Sequence, residues 1–117
     1  MRLFFDTNAL FKLYHVEAGS EALISFVESL ADEPRMVISA IAIVEFTSAL
    51  YRRIRQHEIE RGTANEILMH FEKQRAQLSV VTVDASVLSK ADLLIRQHGE
   101  YRSLRTLDAI QVASALV

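Results

Sequence analysis

An α/β layered fold with a mostly parallel sheet follows from three observations. Short apolar runs of strand character alternate with longer segments of helical periodicity, and each run leads straight into a helix. Only three Gly and one Pro interrupt 117 residues, half of which are hydrophobic, so the chain reads as a helix-rich globule rather than a disordered one. In such folds ligands bind beyond the carboxyl ends of the strands, so the residue closing each run matters most.

The elements follow in order. "RLFF" at 2–5 is a short strand ending at Asp6, and "TNALFKLY" continues as a helix with Asp6 or Thr7 near its cap. From Ser20, Ala22, Leu23, Phe26, Val27 and Leu30 recur at three and four spacings opposite Glu21, Ser25, Glu28 and Ser29, which predicts an amphipathic helix stopped before Pro34. "MVIS" at 36–39 is a second strand, and about Ala40 to His57 a long helix, apolar early and basic late. Its Arg52, Arg53 and Arg55 suit the negative end of the helix dipole.

After Gly62, "TANEILMHFEKQRAQL" carries Ile67, Leu68, Phe71 and Leu78 at helical spacing and is expected to pair with the preceding helix as a hairpin. "VVTV" at 80–83 is a third strand of β-branched residues. Asp84 caps a helix over about 85–98, "HGEYRS" breaks it, and a last helix starts near Thr106 and runs to the end. At this length one domain over 1–117 is expected.

Composition narrows the chemistry. The absence of cysteine excludes disulfides, thiolate zinc sites and a thiol nucleophile, and is compatible with a reducing cytosol. No apolar run reaches the roughly 18 to 20 residues that span a bilayer, and Asp6 interrupts any signal-peptide layout, so a cytoplasmic protein without membrane contact is expected. The net charge of -2 offers no global attraction to nucleic acid, leaving local basic patches or bound cations to make any such contact. His15, His57, His70 and His98 share no metal-ligand spacing and read as surface residues. No serine has the setting of a nucleophile elbow, and there is no glycine-rich phosphate loop.

Three carboxylates stand out. Asp6 closes a strand; Glu45 lies in "AIAIVEFTSAL" among Ile41, Val44, Phe46 and Ala49; Asp108 lies in "LRTLDAIQVASALV", where Gln111 and Ser114 continue a narrow polar stripe. A lone carboxylate in apolar surroundings needs a partner or a metal. Together the three could hold Mg²⁺ or Mn²⁺, which prefer carboxylate oxygen. The plainer readings are that Asp6 and Asp108 only serve helix N-termini and that Glu45 pairs with an arginine. Asp84 competes as a further ligand, but capping explains its position. Arg52, Arg53 and Arg55, with Arg102 and Arg105, could reach a phosphate backbone or could simply be solvated.

Three segments, "FDTNAL", "SAIAIVEFTSAL" and "LRTLDAIQVASAL", in this order and spacing, resemble the PIN-domain ribonucleases and most of all the VapC-type toxins of bacterial and archaeal toxin–antitoxin pairs. The resemblance spans nearly the whole chain. It implies a PIN-like parallel sheet flanked by helices, with Asp6, Glu45 and Asp108 as acidic metal ligands. It further implies Mg²⁺- or Mn²⁺-dependent hydrolysis of RNA phosphodiesters to 5′-phosphate and 3′-hydroxyl ends, with Thr7 or Asn8 orienting the water or a ligand. Contact with RNA would fall to Arg52, Arg53 and Arg105. The partners it implies are an RNA substrate, a second copy in a homodimer, and a cognate antitoxin. The family usually carries a fourth acid in a strand and turn beyond the helix that here ends at Val117, so the sheet is expected to lack its C-terminal strand in this chain. A non-catalytic PIN-like module binding RNA or protein is the alternative; a purely structural α/β domain is the third reading.

Overall fold

The β-branched and aromatic runs form strands because their side chains pack on both faces of a sheet that helices cover. The computed structural model describes residues 1–117. Its strands are β1 (Arg2–Phe5), β2 (Arg35–Ser39) and β3 (Ser79–Val81), all parallel, in the order β1-β2-β3. The register pairs Phe4 with Val37 and Phe5 with Ile38, then Ile38 with Val80 and Ser39 with Val81. Parallel neighbours need crossovers, and six helices supply or flank them: α1 (Thr7–Tyr14), α2 (Ser20–Glu28), α3 (Ala40–Arg55), α4 (Arg61–Gln74), α5 (Ala85–His98) and α6 (Thr106–Ala115). This is a PIN-like α/β arrangement.

Side-chain caps set three helix starts. Asp6 Oδ1 accepts from the Ala9 amide at 2.8 Å, Ser39 Oγ from Ile41 at 3.3 Å, and Asp84 Oδ1 from Val87 at 2.9 Å. Gly19 before α2 sits at φ 91°, a conformation that side chains rarely adopt. The helix expected to continue to Leu78 ends at Gln74, and Arg75–Gln77 tighten into a single 3-10 turn before β3.

The main core lies on one side of the sheet. Phe46 of α3 is fully buried, stacked on Phe71 of α4 with centroids 4.2 Å apart and tilted on Phe11 of α1 at 5.1 Å. These rings bind the two long helices and α1 into one layer. A smaller cluster of Val87, Ala91, Ala109, Ile110 and Ala113 joins α5 to α6. The two layers meet where the hydroxyls of Ser39, at the end of β2, and Ser114, on α6, share a buried hydrogen bond of 2.9 Å. That bond holds α6 across the carboxyl end of the sheet. No helix is long and apolar enough to cross a membrane.

Candidate active site

Each suspect carboxylate reaches the same place from a different element. Asp6 follows β1, Glu45 lies in the second turn of α3, and Asp108 lies in the first turn of α6. All three line one open pocket of about 690 Å³ at the carboxyl end of β1, together with Thr7, Asn8, Arg52 and Gln111. The sequence therefore named both the acids and three of their polar neighbours, Thr7, Asn8 and Arg52, and the fold brings them to one pocket.

Their surroundings differ from the expectation of three carboxylates in apolar settings. Glu45 is half-buried, whereas Asp6 and Asp108 are exposed. The first turn of α6, Thr106 to Asp108, is exposed, and only its later residues such as Ala109, Ile110 and Ala113 enter the core. Both aspartates bond to helix-start amides: Asp6 to Ala9, and Asp108 Oδ2 to the Arg105 amide at 3.3 Å. The capping reading and the pocket reading thus hold at once for both.

Glu45 has no arginine partner. Its Oε1 instead accepts from the Thr7 hydroxyl at 2.7 Å and from Gln111 Nε2 at 2.8 Å. Gln111 Nε2 also donates to Thr7 Oγ1 at 3.0 Å, closing a triangle of three side chains from β1–α1, α3 and α6. The polar stripe Asp108, Gln111 and Ser114 is the face that α6 turns toward Thr7, Glu45 and Ser39. Neutral donors hold the carboxylate in place without cancelling its charge.

The donor set fits a hard divalent cation. Asp6, Glu45 and Asp108 take part in none of the ion pairs, and each keeps one oxygen that accepts no hydrogen bond from the protein: Oδ2, Oε2 and Oδ1 respectively. Uncompensated anionic oxygens facing one pocket suit Mg²⁺ or Mn²⁺. The expectation of a ready common site of three ligands needs correction, because no group of three His, Asp or Glu side chains is close enough to hold one ion as arranged. The two aspartates are drawn toward the amides they cap. A magnesium ion usually keeps several waters and binds through one or two carboxylates, so a closed cage is not required.

The arginines separate by role. Arg52 lines the pocket and is exposed. Arg53, expected among the RNA contacts, turns inward: its guanidinium pairs with Glu17 at 3.1 Å, donates to the Ala49 carbonyl and lies 4.0 Å over the Phe11 ring. Those contacts give it a packing role and leave its side chain 17% exposed. Arg105 is exposed at the start of α6, and Asn8 is exposed on the pocket wall. Of the histidines, His57, His70 and His98 are exposed and His15 is half-buried, edge-on to Phe11. Asp84 caps α5 and does not line the pocket.

A family model described as PIN domain matches residues 3–117. The chain belongs to the PIN domain family. PIN domains are generally nucleases and typically use divalent metal ions, which agrees with an acidic pocket at the end of a parallel sheet. No curated protein matches this PIN domain.

Proposed function

We propose that this PIN domain is a divalent-metal-dependent endoribonuclease of the toxin type, hydrolysing RNA phosphodiester bonds to leave 5′-phosphate and 3′-hydroxyl ends. The observation that carries the proposal is the meeting of Asp6, Glu45 and Asp108 at one pocket, each with an uncommitted oxygen and none with a cationic partner. With one or two of these carboxylates as direct ligands and the rest reaching it through water, Asp6 Oδ2, Glu45 Oε2 and Asp108 Oδ1 would hold Mg²⁺ or Mn²⁺. When bound, such an ion polarises a phosphoryl oxygen and lowers the pKa of water to make a nucleophile at neutral pH.

The chain's own residues supply position and charge. Thr7 and Gln111 fix the direction of the Glu45 carboxylate. The exposed Asn8 can donate to a water or to an RNA oxygen at the pocket wall. Arg52 puts a positive charge beside three negative ones, at the place where a phosphate must approach acids that would otherwise repel it. On the same reading the protein pairs with itself and is silenced by an antitoxin, whose arginine would find compensating charge in the acidic pocket.

The test is cleavage of single-stranded RNA with Mn²⁺ by the parent and by Asp108→Asn, followed by enzymatic ligation of the products. The proposal expects ligatable 5′-phosphate ends from the parent and no cleavage from the variant. Equal cleavage by both would refute it. A non-catalytic PIN module that binds RNA or protein is the second reading, favoured by the lack of a closed three-carboxylate group. It predicts RNA binding indifferent to Mn²⁺ and no strand scission.

A further inference from the structure

Gln111 is the one buried side chain that leaves a polar atom without a partner: its Oε1 is enclosed and accepts no hydrogen bond. A buried amide ordinarily satisfies both its ends, so the orientation that orphans the oxygen must be imposed by what the nitrogen does. Nε2 donates simultaneously to Glu45 Oε1 at 2.8 Å and to Thr7 Oγ1 at 3.0 Å. Turning the amide over would set a carbonyl oxygen against the Glu45 carboxylate at hydrogen-bond distance, two acceptors with no proton between them. The Thr7 hydroxyl donates to the same Glu45 oxygen and so can only accept from Gln111.

The consequence falls on Glu45. Two donors converge on Oε1, so that oxygen is occupied and the carboxylate plane is fixed with Oε2 left over. The partners come from residues 104 and 66 positions away from Gln111, so the contact also locks α6 to α1 and α3 at the pocket. We infer that Gln111 is a positioning residue: it selects Oε2 of Glu45 as the ligand oxygen for a divalent cation, at the expense of its own unpartnered carbonyl. This rests on the metal-site reading above.

Mn²⁺ titration calorimetry on the intact chain tests it, comparing the parent, Gln111→Met, Glu45→Gln and the double variant, with unfolding midpoints measured on each. Removing an outer partner of a ligand typically weakens metal binding by about 10- to 100-fold, and Gln111→Met is expected in that range. In the Glu45→Gln background the same change is expected to have no further effect, because its route is lost. A general packing defect would instead lower affinity equally in both backgrounds. Unchanged Mn²⁺ affinity in folded Gln111→Met, or equal losses in both backgrounds, would overturn the inference while leaving the metal site itself standing. Absence of Mn²⁺ binding by the parent would overturn both.

Discussion

Replacing Phe46 by Ala removes the ring on which α1, α3 and α4 are assembled, immediately beside Glu45. The side chain is 0% exposed. Its neighbours are Phe71 stacked at 4.2 Å, Phe11 at 5.1 Å and Tyr14 edge-on at 5.6 Å, so the space it vacates is walled by three rings from two other helices, α1 and α4. Such a wall collapses poorly. Loss of a buried Phe costs about 3–5 kcal/mol, and ring pairs worth about 0.5–1.5 kcal/mol each place this site toward the upper end. A domain of this size is stable by roughly 5–15 kcal/mol, so the variant is expected to stay folded with much of its margin gone. With a urea m-value of about 2 kcal/mol/M, a loss of about 4 kcal/mol moves the unfolding midpoint down by about 2 M. Equilibrium urea unfolding followed by far-UV circular dichroism measures it. A shift below about 0.5 M at unchanged m would refute the assignment of Phe46 to the centre of the core.

Two further outcomes separate structural from functional roles. Asp84→Ala is expected to cost about 1 kcal/mol through the lost cap bond to Val87 while leaving Mn²⁺ binding unchanged, and calorimetry showing weakened Mn²⁺ binding would make Asp84 part of the site. Burial holds the Tyr14 phenol above its ordinary pKa, so the unfolded chain releases this proton first as pH rises. Its contribution is therefore whole below about pH 10 and is lost as pH climbs through the raised folded value. Tyr14→Phe should flatten the alkaline fall in urea midpoint, and an unaltered slope would contradict the assignment.

Most strands and helices were legible because they are strongly periodic or bounded by a cap or breaker, although β3 runs Ser79–Val81 rather than the expected 80–83. Asp6 and Asp84 announced the starts of α1 and α5, and Pro34 lies past the end of α2. The three acids were legible as a set through their order along the chain. Their solvation was not: α6 is apolar on nearly every side, and only its packing against α5 and β2 decides that its first turn stays exposed. Arg53 reads like Arg52 in a basic helix end, yet one turns onto Phe11 and the other faces the pocket. Gln111 appeared only as part of a polar stripe. Its partners lie far along the chain, where no local pattern reaches, although a lone amide in an apolar helix, three residues after a suspect acid, was a signal that it faces the same site.

The central claim is that the acids of this PIN domain act as metal ligands and not only as helix caps, and Asp6 is where the two roles can be divided. Asn caps a helix about as well as Asp, so Asp6→Asn should keep the bond to Ala9 and lose less than about 1 kcal/mol of stability. The same change removes a ligand charge, and the several kcal/mol that a correctly held ion contributes correspond to a loss of about 100-fold or more in Mn²⁺-dependent RNA cleavage. Cleavage rate and urea midpoint measured on the same preparations of parent and Asp6→Asn decide between the roles. A nearly unchanged midpoint with cleavage slowed about 100-fold or more is expected; cleavage at the parent rate would contradict the ligand role.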